Sequence, residues 1–119
     1  MAVIKRMMMC RRKAGTSLEQ FMEYYETKHA TLSASLFPMF ASYKRNFIQP
    51  NPSRLPAGAT DNPYDVVTEM VFANEADYAA FLAKIQLPEV RAVLVPDEAA
   101  FIEPGSIFSF AVRESVLPK

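Results

Sequence analysis

Apolar residues occupy both faces of the stretch 3–10, where Val3, Ile4, Met7, Met8, Met9 and Cys10 flank only Lys5 and Arg6. A strand covered on one side alternates apolar and polar residues, so this pattern asks for cover on both sides. The same double loading returns near the other end, at Ile107, Phe108, Phe110, Ala111 and Val112. After the first strand, Thr16 with Glu19 and Ser17 with Gln20 form two overlapping capping boxes. Leu18, Phe21, Met22, Tyr25, His29, Leu32 and Leu36 then recur at steps of three and four, which predicts a helix ending before Pro38. A second strand is predicted over 42–48, with Tyr43, Arg45 and Phe47 on one face and Ser42, Lys44, Asn46 and Ile48 on the other. Residues 49–63 hold Pro50, Pro52, Pro56, Pro63 and Gly58 and predict a protruding loop, either a lid or a tolerated insertion. The β-branched and aromatic run 66–72 is the clearest strand, interrupted by Glu69. Asn74 is placed to cap a helix that buries Tyr78, Phe81, Leu82 and Ile85, and Pro88 to start a further helical piece with Val90, Val93 and Leu94 inward. Pro96-Asp97 is expected to break that piece, and Pro104-Gly105 to turn the chain into the last strand.

The resulting order, β-α-β-β-α-β, predicts an α+β fold of the ferredoxin-like split βαβ type, an antiparallel four-stranded sheet with its helices on one side. The whole chain, 1–119, fits a single domain. Met, Phe and Val residues on the open side of such a sheet would form a larger apolar patch than soluble monomers tolerate, and two sheets packed face to face remove it. The expected partner is therefore a second copy, giving a homodimeric α/β barrel.

Thirteen basic and thirteen acidic side chains cancel, which argues against attraction to nucleic acid or an anionic membrane. The RNA-binding use of a ferredoxin-like sheet also needs a basic surface and an aromatic pattern that the strands lack. No apolar run approaches the roughly 20 residues of a membrane span. Lys5, Arg6 and Arg11 interrupt what a signal-peptide core would need, so a cytosolic (cytoplasmic) protein is expected. One Cys, Cys10, leaves no internal disulfide, and its apolar strand makes it a small buried hydrophobe. One His and one Cys make a protein-built metal site unexpected, and three scattered Gly form no phosphate-cradling loop or dinucleotide fingerprint.

His29 is the only histidine, so any reaction that needs an imidazole must use it; the plainer use is a core histidine bonded to a backbone carbonyl. Glu69 shares a strand face with Val67 and Val71, where an unpaired carboxylate is costly, so it either acts as a general acid or base or pairs with Arg6, Lys44 or Arg45. Tyr43 offers a hydroxyl to a substrate carbonyl or phenol, or packs across the strands. Asp97, just after Pro96, is most simply a helix N-cap. Among Met7, Met8 and Met9, a pliable wall for a flat apolar ligand competes with plain core packing.

The segment Arg11-Arg12-Lys13-Ala14-Gly15-Thr16-Ser17-Leu18-Glu19-Gln20-Phe21, followed by Tyr24-Tyr25-Glu26-Thr27-Lys28-His29-Ala30, resembles the EthD family. Tyr43-Lys44-Arg45-Asn46-Phe47 is similar to that family's second strand, Tyr64-Asp65 through Phe72 to its third, and Asp97 to Ile102 to the segment before its last strand. The resemblance implies a dimeric α/β barrel and membership of a superfamily of small cofactor-independent enzymes and monooxygenases. Relatives of that type include a muconolactone isomerase, decarboxylases of polyketide carboxylic acids and an accessory protein of ether degradation. The implied function is a cofactor-independent lyase or isomerase acting on an apolar aromatic, polyketide-like or lactone substrate. Catalysis is expected from His29, Glu69 and Tyr43: His29 moves the proton, Tyr43 holds the enolising oxygen and Glu69 orients imidazole or substrate. Tyr25, Met8, Phe47 and Asp97 are expected to contact the substrate. The alternatives are a monooxygenase of the same superfamily and a non-catalytic binding or accessory protein.

Overall fold

Strict alternation along one strand decides how the two sides of the sheet are used in the computed structural model, which describes residues 3–118. Strands β1 (Ile4–Cys10), β2 (Ser42–Phe47), β3 (Val66–Phe72) and β4 (Phe108–Val112) form a single sheet in the order β2-β3-β1-β4, every neighbouring pair antiparallel. Val66, Thr68, Met70 and Phe72 of β3 are buried, while Val67, Glu69 and Val71 are only partly covered. The register carries this alternation across the sheet. Thr68 lies opposite Met8 of β1 and Arg45 of β2, and Met70 lies opposite Arg6 and Tyr43. Arg6, Met8 and Cys10 therefore share one side with Tyr43 and Phe47, the side that the helices cover. The ferredoxin-like α+β arrangement read from the sequence is the one observed. Val3, Ile48 and Ile107, expected to be strand residues, lie just outside the strands.

The first helical stretch starts as α1 (Leu18–Tyr24), where Ser17 and Gln20 form the capping box. It does not continue as a regular helix. Tyr25–His29 is a π-helical turn, in which the Ala30 N–H bonds the Tyr25 carbonyl five residues back, and α2 (Ala30–Leu36) follows. Asn74 caps α3 (Glu75–Ile85) by accepting from the Asp77 N–H at 2.8 Å.

Helix α4 (Pro88–Phe101) starts at Pro88 as expected, but Pro96 does not end it. A proline inside a helix removes one N–H, which here would have served the carbonyl of Ala92. Ala92 and Pro96 both lie on the exposed side of α4, where water can take that role. Asp97 is consequently a mid-helix residue and not an N-cap. Val93, expected to point inward, is 45 % exposed, whereas Val90 and Leu94 are buried.

Two aromatic clusters fill the space between helices and sheet. Phe21, Tyr25 and Phe47 meet edge to face, and Phe101 lies against Phe21, Tyr24 and Tyr25 with ring centroids 4.9 to 5.5 Å apart. Phe37, Phe40, Phe72 and Phe81 form the second cluster. Contacts of this kind add about 0.5–1.5 kcal/mol per pair beyond the area they bury. The other side of the sheet carries Lys5, Met7 and Met9 of β1 beside Phe108, Phe110 and Val112 of β4, with Val67 and Val71 of β3. Phe108 there is 52 % exposed. Among the described residues, no helix is long and apolar enough to cross a membrane.

Residues 49–63 form no helix or strand. The base of the loop is tied down by buried Asp65, which accepts from the Arg12 backbone N–H at 2.7 Å and from its guanidinium at 2.8 Å.

Candidate active site between sheet and helices

A cavity of about 290 Å³ opens between the covered side of the sheet and the helices. Its size sits at the low end of small-molecule sites. β1 supplies Met8, β2 Tyr43 and β3 Thr68, while the wide π-helical turn supplies Tyr25 and His29 and α2 adds Ser33. The turn matters for this grouping. It sets Tyr25 and His29 side by side, ring centroids 5.1 Å apart, both buried.

His29 Nδ1 lies 2.6 Å from Asp97 Oδ2, and the same carboxylate accepts from the Tyr24 hydroxyl at 2.9 Å through its other oxygen. The pair is well shielded, with side-chain exposures of 6 % and 13 %. In the neutral imidazole the Nδ1 that faces this acceptor oxygen carries the proton, and Nε2 keeps its lone pair. Nε2 is the nitrogen near Ser33 Oγ, at 3.4 Å, on the cavity side. Histidine ring, orienting carboxylate and an Nε2 lone pair engaged only by the long Ser33 contact make the arrangement of a general base.

Hydroxyl groups gather opposite it. Tyr25 Oη and Thr68 Oγ1 are 2.6 Å apart, and Tyr43 lines the same wall. Burial pushes the Tyr25 phenol well above its ordinary range, and burial likewise raises Tyr43 although Tyr25 and Ser33 pull the other way. Both phenols therefore stay protonated at neutral pH and can donate to a developing oxyanion. The Arg45 guanidinium lies 4.8 Å from the Tyr43 ring centre and is held by Glu26 through two bonds of 2.8 and 2.9 Å. Glu98, on α4 beside Asp97, also lines the cavity, and burial raises its carboxyl above the usual range.

Residues 13–105 match the EthD domain model, which is most of the chain. The chain belongs to the EthD family. Among solved structures, a protein of Arabidopsis thaliana is similar at 15 % identity and TM-score 0.65, over 98 % of this chain and 99 % of that one. An EthD family protein of Bacillus halodurans is 17 % identical, with TM-score 0.63 over 96 % and 100 % of the two chains. A dimeric ferredoxin-like protein of unknown function from Bacteroides fragilis is 13 % identical, with TM-score 0.54 over 94 % and 96 %. These likenesses show a shared fold. No match is found among curated proteins.

In this EthD chain the residues singled out from the sequence separate into two groups. His29, Tyr43, Tyr25 and Met8 line one cavity, and Asp97 backs His29. Phe47 packs on Phe21 and Tyr25 behind the wall. Glu69 is on the opposite side of the sheet, opposite Met7 and Lys44 in the register, so it cannot orient His29. It pairs with Lys5 at 3.1 Å and accepts from Asn46 at 3.0 Å, and these bonds, Lys5 foremost, hold its carboxyl below the usual range. Arg6, an expected partner of Glu69, sits on the cavity side instead, and Arg45 is taken by Glu26. Of the three methionines, only Met8 faces the cavity. No residue of the loop 49–63 lines it; the loop instead walls a separate surface cavity with Arg12, Leu18 and Asp65. Thr68, Ser33 and Glu98 carry no sequence signal beyond their residue type; only the register and the π turn bring them to the site.

Proposed function

We propose that this EthD protein binds a small apolar molecule between sheet and helices and moves protons on it without a cofactor, as a lyase or isomerase. The observation that carries the reading is the buried Asp97–His29 pair, which aims an imidazole lone pair into a cavity walled by two protonated tyrosines. In that scheme Nε2 of His29 takes a proton from the carbon next to a carbonyl, and the electron pair moves onto the carbonyl oxygen. Tyr25 and Tyr43 donate to that oxygen as charge develops there. Return of the proton to another carbon gives an isomerisation, and departure of a β-hydroxyl gives a dehydration. Asp97 stabilises the imidazolium that forms meanwhile.

Glu69 takes no part in this chemistry. It belongs to the apolar side of the sheet, which in this reading packs against the same side of a second copy. The dimeric relative from Bacteroides fragilis is consistent with that assembly. The chemistry is testable without the natural substrate, because 2-tetralone has acidic hydrogens next to its carbonyl. Exchange of those hydrogens in D2O, followed by proton NMR, should be accelerated by the wild-type protein and fall at least about 100-fold in His29→Ala, the usual span for a lost general base. Equal acceleration by the variant would overturn the proposal, and binding of 2-tetralone with no exchange would leave a binding protein.

A further inference from the structure

The cavity holds two positive charges that the proton-transfer machinery does not use. Arg6, on β1, is half-buried, and its guanidinium donates to the neutral Tyr78 hydroxyl at 2.9 Å. Among the described residues it has no carboxylate within ion-pair distance, and neither does Arg91 on α4. Both line the cavity. Arg6, partly withdrawn from bulk water with no carboxylate at ion-pair distance, is an incomplete ion pair, and the planar forks of both arginines suit a carboxylate.

The fold puts both arginines at the same end of the cavity. β1 and α4 run in the same sense, since their far ends meet where Arg12 bridges Ile102 and the Lys13 N–H bonds the Phe101 carbonyl. Arg6 precedes Met8 by two strand residues, about 7 Å at the usual rise. Arg91 precedes Asp97 by six helical residues, about 9 Å. Met8 and Thr68 face each other in the register beside Tyr25, and Asp97 marks His29. Arg6 thus stands one sheet rung from Met8 and Thr68, and Arg91 between one and two helical turns from Asp97, while Tyr43 shares the Arg6 rung two strands away. Glu98, next to Asp97 on α4, also lines the cavity, and the larger rise that burial causes in its carboxyl is opposed by the pull of Arg91.

We propose that Arg6 and Arg91 form an anchoring site for a carboxylate that the substrate keeps through the reaction, about 7 to 9 Å from the carbon at which His29 acts. The proposal rests on the proton-transfer reading of the site and adds to it the class of molecule: a compact, mostly apolar ring system with one acidic end. It also assigns that acid a spectator's role. A carboxylate held by two guanidiniums would lose both partners on leaving as carbon dioxide, so it is not the group that leaves.

The probes are 2-naphthoate and its neutral counterpart 2-naphthamide, whose binding can be followed by their own fluorescence because the chain has no Trp. Naphthoate should bind at least about 10-fold more tightly than naphthamide, and the ratio should fall towards one in Arg6→Gln and in Arg91→Gln. Arg91 is exposed, so its replacement keeps the test open even where Arg6→Gln fails to fold. Orientation is read with methyl-labelled methionine. Ring protons near the carboxylate should give cross-relaxation to Met70, which lies opposite Arg6, and the remote ring to Met8 on the Thr68 rung. Equal binding of the two probes, a preference untouched by both substitutions, or the reverse orientation would overturn the site. His29→Gln separates the two ideas: it should abolish exchange of 2-tetralone and leave the naphthoate preference intact. Loss of that preference in His29→Gln would place the anion at the imidazole and overturn the anchor while the proton-transfer reading stands.

Discussion

Replacing Asp97 by Asn exchanges one oxygen for an NH2 group and, by the geometry of the site, moves the proton on His29. The carboxylate accepts from His29 Nδ1 at 2.6 Å and from the Tyr24 hydroxyl at 2.9 Å. An amide of the same shape has one acceptor and one donor end. If its oxygen keeps the Tyr24 hydroxyl, its NH2 faces Nδ1, which must then become the acceptor and send the imidazole proton to Nε2. The lone pair in the cavity is lost and a donor stands in its place. Loss of the base should lower proton transfer by roughly two to four orders of magnitude. Stability should fall as well, because two bonds to a shielded carboxylate become neutral ones, a loss of about 1–3 kcal/mol. For a domain of this size that is a drop in Tm of roughly 4–15 °C. The tautomer can be read directly, since His29 is the only histidine and gives a single set of imidazole nitrogen signals. Wild type should show the Nδ1-protonated form and Asp97→Asn the Nε2-protonated form. Unchanged nitrogen shifts in a folded Asp97→Asn would refute the reasoning, whatever the activity.

Two further outcomes are expected. Burial lifts the Cys10 thiol from its ordinary 9.0 to about 12, with the Asp65 and Glu98 charges adding to the effect. The folded state therefore binds this proton more tightly than the unfolded chain, so the associated stability is intact below about pH 9 and is lost as pH rises towards 12. Urea unfolding of wild type against Cys10→Ala between pH 8 and 11 should show the wild type losing stability faster, and parallel curves would refute the assignment. On the other side of the sheet, where we propose that a second copy packs, Phe110→Asp introduces a charge that a monomer leaves in water and the proposed dimer would bury unpaired, at several kcal/mol. Sedimentation should show dissociation at least 100-fold easier with the circular dichroism of the protomer retained; an unaltered dimer would place the interface elsewhere.

The fold was legible because it rests on periodicity. The two-faced run at β2, the β-branched and aromatic run at β3 and the period-three-and-four runs at α1 and α3 fix the element order, and that order admits few topologies. The site was legible only in part. His29, Tyr25, Tyr43 and Met8 lie on the apolar stripes that face the core, so a reading of stripes finds them. Asp97 was found for the wrong reason: Pro96 reads as a helix breaker, and the exposed setting that lets α4 run through it appears only once α4 is packed. The π turn has no period of its own, and no local pattern distinguishes Tyr25–His29 from ordinary helix. Glu69 shows the opposite failure. Its apolar neighbours Val67 and Val71 mark it as buried and therefore costly, but those neighbours belong to the side of the sheet away from the helices, where Lys5 and Asn46 satisfy it.

That last error exposes the rule by which the sheet divides its work. Side chains alternate with a period of two, so each strand commits one parity to the cavity and the other to the opposite side. On β1 the even positions Arg6, Met8 and Cys10 face the helices, and the odd positions Lys5, Met7 and Met9 face away. On β3 the even positions again face in, with Thr68 in the hydroxyl cluster, and the odd ones carry the Glu69 ion pair. A shift of one residue in either strand would exchange Thr68 for Glu69 at the tyrosines and turn Arg6 and Met8 away from the cavity. The double apolar loading of β1 is therefore not redundancy. Its even residues shape the chamber next to His29 and, in the assembly we propose, its odd residues would face a second copy, a division that would use the methionines on both parities.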